Sequence, residues 1–121
     1  MTFYDILKDL VEGVEGGSAA TLMGMDGVAI HNYEREGSGC DVETIGIEYG
    51  GVVSAANSAA QILSLGDFEE MTVAMHGLTL ILRMVTPQYY IVFALDDRAA
   101  AGKARFRVRK AAAMSKKELE A

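Results

Sequence analysis

The sequence has few of the residues that carry disulfide, metal or nucleophile chemistry. Its 121 residues include one cysteine, two histidines and no tryptophan. Cys40 alone cannot form an intramolecular disulfide, which fits a reducing compartment. His31, His76 and Cys40 lie far apart along the chain, at no spacing typical of metal ligands or of a nucleophile with its base. The sequence therefore predicts no active site of its own, no metal and no cofactor.

Long apolar runs are also missing. The longest apolar stretches have the length of a strand, well short of the ~20 residues that a membrane helix needs. The N-terminus does not show a basic region followed by an apolar run, as a signal peptide would. We therefore expect a cytoplasmic protein without a membrane span. A chain of 121 residues fits one domain and leaves no room for two.

Basic residues are scarce before residue 98. Residues 1–97 carry 15 acidic and 3 basic side chains, whereas residues 98–121 carry 8 basic and 2 acidic ones. This basic segment on an acidic body is interpreted either as a solvated helix face or as a docking surface for an acidic partner or membrane headgroups. Nucleic acid is not an expected partner, because the net charge of −6 repels phosphate and no aromatic–basic interleaving is present.

Hydrophobic periodicity predicts the element order α-β-β-α-β-β-β-α. Thr2 and Asp5 form a capping box for a first helix over residues 2–12. Asp26-Gly27 predicts a hairpin with a type I′ turn between two apolar runs. The strands are predicted over residues 18–25, 28–33, 68–76, 78–85 and 89–95. A last helix over about 98–114, capped by Asp96 or Asp97, completes a single domain (1–114), and residues 115–121 are predicted to form a frayed, charged tail.

A long helix is predicted between Asp41, its N-cap, and Leu63. Its predicted core stripe comprises Val42, Ile45, Tyr49, Val52, Ala56, Ala59, Ala60 and Leu63. The opposite face is rich in small residues but also includes Ile47 and Ile62, two large aliphatics that a solvated face would not need. Gly50 and Gly51 each cost this helix roughly 1 kcal/mol relative to alanine. The close approach of another backbone is the expected compensation.

The five strands predict one antiparallel sheet with helices on both faces, a three-layer α+β sandwich. Strand 68–76 is a candidate sheet edge, and an uncovered edge can be protected by pairing with its own copy. Together with the small-residue helix face, this edge predicts a homodimer. The predicted dimer interface comprises Ile47, Gly51, Ala55, Ser58, Ile62, Met71, Val73 and Met75.

Three runs carry a resemblance to a known family. They are Met25–Ile30 at the first hairpin, the small-residue helix beginning at Asp41, and Tyr90–Arg98 followed by Gly102–Ala111. In this order and spacing, the sequence resembles the roadblock (dynein light chain) family, and within it the bacterial MglB type, over residues 3–114. The resemblance implies a five-stranded sheet with one helix on one face and two on the other. It also implies a dimer whose sheet is continuous across both copies.

The resemblance also implies a function. MglB-type members bind Ras-like GTPases of the MglA type and stimulate GTP hydrolysis without an arginine finger. The resemblance implies that the exposed side of the long helix binds the GTPase. The residues on that side are Glu43, Gly50, Ser54, Asn57 and Gln61. Phe106 stands where the family pattern has an aliphatic residue, and it is expected at the edge of the core. The alternative is a scaffold or adaptor subunit of a larger complex, which need not distinguish the GTP and GDP states of its partner.

Overall fold

The computed structural model describes residues 1–121 and contains three helices and five strands. In chain order these are α1 (Phe3–Glu12), β1 (Gly17–Gly24), β2 (Ala29–Glu34), α2 (Val42–Ile62), β3 (Glu70–Met75), β4 (Leu78–Thr86), β5 (Tyr89–Leu95) and α3 (Ala101–Glu120). The strands form one antiparallel sheet in the order β2-β1-β5-β4-β3. The predicted element order and the single five-stranded sheet are confirmed.

Helices cover both faces of the sheet because its central strands are apolar on both sides. In β5, Ile91, Phe93 and Leu95 belong to the core beneath α1 and α3. Tyr90 and Val92 point the other way, into the core beneath α2. α1 packs on β1 and β2, α3 packs on β4 and β5, and α2 lies over β1, β2 and β5. This is the predicted three-layer α+β sandwich.

The two cores differ in size, and the difference leaves part of one sheet face open. The core beneath α1 and α3 has 16 buried residues, whereas the core beneath α2 has 7. α2 lies toward the β2 side of the sheet, so several side chains of β3 and β4 on this face are only half-buried or are exposed. They are Met71, Val73, Met75, Leu78 and Met84. One chain therefore covers this face incompletely.

The start of α1 follows its prediction closely. The Thr2 hydroxyl accepts a hydrogen bond from the Asp5 amide at 3.1 Å, and the Asp5 carboxylate accepts one from the Thr2 amide at 3.2 Å. Hydrogen bonding to Thr2 lowers the pKa of Asp5. At the other end of α1, the Arg35 guanidinium donates to the carbonyls of Val11 and Val14 at 2.8 and 3.2 Å. These bonds hold the connection from α1 to β1 in place.

The turn between β1 and β2 is not the predicted type I′. That turn needs positive φ at both central residues, but of Asp26 and Gly27 only Gly27 has it, with φ of 84°. The Gly27 amide donates to the Gly24 carbonyl, and the Gly24 amide donates to the Val28 carbonyl, both at 2.9 Å. The result is a three-residue loop that ends with a left-handed glycine. The hairpin was predicted correctly and its turn type wrongly.

The predicted N-cap of the last helix was also wrong. α3 is preceded by Ala100, which makes no side-chain cap bond. The Asp96 carboxylate instead accepts hydrogen bonds from the amide and the guanidinium of Arg98, at 2.9 and 2.8 Å. Hydrogen bonding to Arg98 lowers the pKa of Asp96. Asp96 thus stabilises the turn before the helix, and Asp97 does not cap the helix either.

The last helix is longer than predicted. α3 continues to Glu120, because Ser115 is buried and Leu119 packs against the core beneath α1 and α3. The predicted boundary at residue 114 therefore falls inside a helix, and the segment after it is not a frayed tail. Ala101, the first residue of α3, is exposed. No helix of the chain combines the length and the apolarity that crossing a bilayer requires.

One carboxylate ties α3 to the edge of the sheet. The Glu70 side chain on β3 is 8% exposed. Nitrogen atoms of Arg83, Arg105 and Arg109 lie 3.5, 3.0 and 3.8 Å from its carboxylate oxygens. Arg83 is directly opposite Glu70 on β4, and the other two arginines come from α3. A carboxylate this buried needs such partners, so the cluster positions α3 against β3 and β4.

Candidate functional site

The candidate site lies on α2, and the N-terminus of this helix is set by its own sequence. The Asp41 carboxylate accepts hydrogen bonds from the amide and the hydroxyl of Thr44, at 3.3 and 2.7 Å. These bonds lower the pKa of Asp41 and confirm it as the N-cap. Beyond the cap, only Val42, Gly46 and Val53 are buried. Most of the surface of α2 consequently faces outward.

The predicted core stripe of α2 was partly wrong. Val42 is buried as predicted, but Val52 is 41% exposed, Leu63 is 64% exposed and Ala59 is also exposed. The inward position that was predicted for Val52 is occupied by the next residue, Val53. α2 is apolar around much of its circumference, so periodicity alone cannot tell which stripe meets the sheet.

Gly46, which the sequence analysis did not single out, sets how closely α2 approaches the sheet. A Cβ at this position would lie 2.9 Å from the Met23 Cε and 3.0 Å from the Thr21 Cγ2. The Tyr90 hydroxyl donates to the Gly46 carbonyl at 2.7 Å. A Cβ on Gly50 would lie 3.0 Å from the same hydroxyl oxygen. The close contact expected at Gly50 is therefore made by a side chain of the chain's own sheet.

Gly51 has no such contact, since nothing lies within 4 Å of a Cβ built there. It belongs to a surface that we call the outer band, the exposed apolar and small residues of α2 and its C-cap. The outer band comprises Ile47, Gly51, Val52, Ala55, Ser58, Ala59, Ile62 and Leu63. Within it Ile47 is 48% exposed and Ile62 is 81% exposed. All five α2 residues of the predicted dimer interface lie in this band, and contiguous exposed apolar surface is typical of contact sites.

The outer band lies next to strand β3. The Tyr49 hydroxyl is 3.6 Å from the Met75 Sδ, so this flank of α2 faces β3. β3 pairs with β4 alone, which confirms the prediction that it is an edge strand. On the sheet face beside α2, Met71 and Val73 are half-buried and Met75 is 41% exposed. The predicted interface residues of the strand therefore lie on the sheet face beside α2.

The residues predicted to bind a partner lie along another flank of α2. They are Glu43, Gly50, Ser54, Asn57 and Gln61. All are exposed except Gly50, which is half-buried. The Asn32 amide donates to the Glu43 carboxylate at 2.6 Å, and the Gln61 amide donates to the Asp67 carboxylate at 3.0 Å. The two remaining exposed side chains make no hydrogen bond within the chain, so a partner can use them.

The largest cleft of the chain is lined mostly by polar residues and glycines, and its cysteine has no histidine beside it. It has a volume of about 840 Å³ and lies among the loop after β2, the start of α2 and the β3–β4 turn. Cys40 lines it, but neither His31 nor His76 does. Burial raises the pKa of the Cys40 thiol, which favours the neutral, unreactive form. The guanidinium groups of Arg35 and Arg98, also in the lining, are held by hydrogen bonds within the chain.

No group of three His, Cys, Asp or Glu side chains is placed to hold a metal.

Known proteins resemble this chain in structure more than in sequence. No protein-family model and no curated protein sequence matches it. It is similar to the Roadblock/LC7 domain from Streptomyces avermitilis, with a TM-score of 0.85 and 15% identity over 96% of each chain. It is similar to Myxococcus xanthus MglB, with a TM-score of 0.86 and 19% identity over 98% of this chain and 94% of that one.

A third solved structure has higher sequence identity. MglC from Myxococcus xanthus has a TM-score of 0.70 and 28% identity, over 98% of this chain and 99% of that one. All three likenesses span nearly the whole of both chains, so they include the sheet and the helices on both of its faces. The resemblance seen in the sequence is confirmed at the level of the fold. This chain has the roadblock fold, in a form similar to that of MglB.

Proposed function

We propose that this chain is a regulator, without an active site of its own, of a Ras-like small GTPase of the MglA type. The observation that carries the proposal is α2, a long helix that packs on the sheet by one narrow stripe and presents its other flanks outward. The resemblance in the sequence and the MglB-like fold supply the class of partner.

A second copy of this chain is the occupant proposed for the outer band. Antiparallel pairing of β3 with its copy would continue the sheet and remove a free edge. The same arrangement brings two α2 helices side by side, with their apolar residues covered. Gly51 fits this role, because the open space above it lets a second helix approach closely. The helix cost of that glycine, about 1 kcal/mol, would then be offset by packing between the copies.

The homodimer is tested by placing a charge in the middle of the outer band. Gly51→Glu is expected to give monomers in light scattering, because an unpaired carboxylate is costly to bury. The matched control is Gly102→Glu on α3, where a Cβ also has open space. This control should leave the dimer intact. A Gly51→Glu protein that remains dimeric contradicts the assignment of this face.

The flank of α2 with Glu43, Ser54, Asn57 and Gln61 is the surface proposed to face the GTPase. These side chains are polar and exposed, which suits an interface that forms and dissociates. In the proposed dimer both copies present this flank on the same side of the sheet. A GTPase bound there would contact α2 through these exposed side chains.

The composition of α2 supports stimulation of hydrolysis without an arginine finger. Between Val42 and Ile62 the chain has no lysine and no arginine. The proposed contact surface therefore offers no cation to insert beside a nucleotide. Any acceleration would arise from ordering the GTPase's own water-positioning residue and cations.

The GTPase proposal is tested with a Ras-like GTPase from the same genome, loaded with a GTP analogue or with GDP. We expect tighter binding to the GTP form and faster GTP turnover. Asn57→Arg should weaken both, whereas Ala113→Arg, which adds the same charge at an exposed position on the opposite helix layer, should not. Binding that ignores the nucleotide favours the scaffold or adaptor alternative. The absence of binding to any such GTPase contradicts the proposal.

A further inference from the structure

We propose that the outward face of α3 docks the protein on an anionic phospholipid membrane. Three observations carry this inference, and none of them concerns α2 or the proposed GTPase surface. They are the charge of α3, the kind of cation that is left unpaired, and one exposed aromatic side chain.

α3 concentrates the positive charge of the chain. From Ala101 to Lys117 it has seven basic side chains and no acidic one. Its inner stripe is uncharged and buried, and comprises Ala104, Val108, Ala111, Ala112 and Ser115. The basic side chains are therefore confined to the sides and the outward half of the helix. Such a cluster on an otherwise acidic chain orients the molecule toward a negatively charged surface.

The exposed cations of α3 that make no ion pair are all lysines, and the one further cation without an ion pair, Arg107, is half-buried. Lys103, Lys110, Lys116 and Lys117 are exposed and make no ion pair within the chain. Arg105 and Arg109, by contrast, are engaged with the Glu70 carboxylate. Arginine forks suit the fixed geometry of a carboxylate, whereas a lysine is a hydrated point charge without directional demands. Unpaired lysines spread over 15 residues fit a diffuse surface of headgroups better than a single acidic peptide.

Phe106 lies among these lysines and is 67% exposed. It was expected at the edge of the core, but its position points it away from the inner stripe. It is three residues from Lys103 and four from Lys110, so the three side chains share one part of the helix surface. Exposed aromatic rings flanked by cations are typical of helices that lie in a membrane interface. Phe106 supplies the apolar contact that a purely ionic surface would lack.

The lysine-rich face of α3 lies on the opposite side of the sheet from the proposed GTPase surface. How two such faces are arranged in the assembly rests on the proposed dimer. α1 and α3 lie on one face of the sheet and α2 on the other. Antiparallel pairing of two β3 strands has its two-fold axis perpendicular to the sheet, so both α3 helices lie on the same side. On the α1 side, Asp9 lines the same pocket as Arg107 and Lys110, so it offsets the charge of α3 only at that border. Two lysine-rich helices would then meet a membrane together, with both α2 helices facing away from it.

The test is sedimentation of the full chain with phospholipid vesicles at low salt. Vesicles of pure phosphatidylcholine are compared with vesicles that contain about one third phosphatidylglycerol. We expect binding only to the anionic vesicles and its loss at high salt. The triple variant Lys103→Gln, Lys110→Gln, Lys117→Gln should bind on the order of 100-fold more weakly, from the usual contribution of each basic residue near such a surface. The matched triple Lys→Arg variant should bind as the parent does.

Several outcomes would overturn the proposal. One is the absence of binding to phosphatidylglycerol vesicles at low salt, and another is equal binding by the parent and the Lys→Gln variant. Binding to soluble polyglutamate but not to vesicles would assign the face to an acidic protein instead. If the Lys→Gln variant does not fold, Phe106→Ser replaces it and should weaken vesicle binding. In another outcome, light scattering shows that the chain is a monomer while its vesicle binding still depends on the lysines. That result supports the docking face and contradicts only the proposed dimer.

Discussion

The Tyr90 hydroxyl donates a hydrogen bond of 2.7 Å to the Gly46 carbonyl, and this buried bond joins the central strand β5 to α2. Burial raises the pKa of Tyr90, so the hydroxyl remains protonated and able to donate. Gly46 has no side chain, which lets the helix lie close to the sheet where this bond forms. The placement of the candidate site therefore depends on a contact between residues 44 positions apart.

Removal of the Tyr90 hydroxyl should weaken the attachment of α2. Tyr90→Phe is expected to lower the free energy of unfolding by about 1 kcal/mol, because one buried hydrogen bond is lost while the ring still fills its space. Urea denaturation measures the change. Tyr89→Phe is the matched control, since the Tyr89 hydroxyl makes no hydrogen bond within the chain and the residue is half-buried. Equal effects of the two substitutions would contradict this account.

Neutralisation of Glu70 should destabilise the contact between α3 and the sheet edge. Glu70→Gln is expected to cost about 1–3 kcal/mol in the free energy of unfolding, because three arginines lose their common anionic partner. Glu69→Gln, the same change at an exposed neighbour, should have little effect. Urea denaturation of both variants provides the comparison, and an unchanged midpoint for Glu70→Gln would show that the cluster adds no stability.

The N-cap of α2 should contribute to stability in a pH-dependent way. Hydrogen bonds from Thr44 hold the pKa of Asp41 below its ordinary value of 3.8. The contribution is therefore complete above that value and is lost as the pH falls through the lower, folded pKa. Asp41→Ala should lower the urea midpoint at pH 7 and have a smaller effect in acid. Asp97→Ala, which removes an exposed carboxylate that makes no side-chain hydrogen bond, should show no such pH dependence.

Tyr33 should ionise well above the ordinary pKa of a tyrosine. Its hydroxyl donates to the Glu12 carboxylate at 2.6 Å, and this bond raises the pKa of Tyr33 from 10.0 to about 12. The stabilisation is complete below the ordinary pKa and is lost as the pH rises through the folded one. An ultraviolet titration of the parent and of Tyr33→Phe isolates this step. Glu12→Gln should move this step to lower pH, and a difference between the parent and Tyr33→Phe that appears near pH 10 would contradict the hydrogen bond.

Local signals in the sequence predicted local structure well. Thr2 and Asp41 cap helices as predicted, because a cap depends on hydrogen bonds between residues two or three apart. The continuous apolar run of β5 is typical of a strand covered on both faces, since each face must bury its own apolar residues. The turn at Asp26-Gly27 was found as a hairpin, but the conformation of Asp26 depends on the register of the flanking strands and was predicted wrongly.

Predictions that needed contacts between distant elements were less accurate. Val52 and Leu63 were placed in the core and are exposed, because α2 is apolar on several sides and only its packing selects one. Gly46 was overlooked, since the methionine and tyrosine that fill the space beside it come from β1 and β5. Phe106 was expected at the core edge, but the smaller Ala104 and Val108 meet the sheet instead.

The sequence by itself determined the order of the elements, the caps of α1 and α2, the antiparallel sheet and the basic character of α3. These follow from periodicity, turn chemistry and charge, all of which act over a few residues. Only the tertiary structure decided which flank of α2 faces the sheet, that β3 is left at an edge beside the outer band, and that the α3 lysines lie on the opposite layer. Those relationships depend on how closely helices and strands can pack when they are far apart in the sequence. A pattern of residue types along the chain does not contain these packing distances.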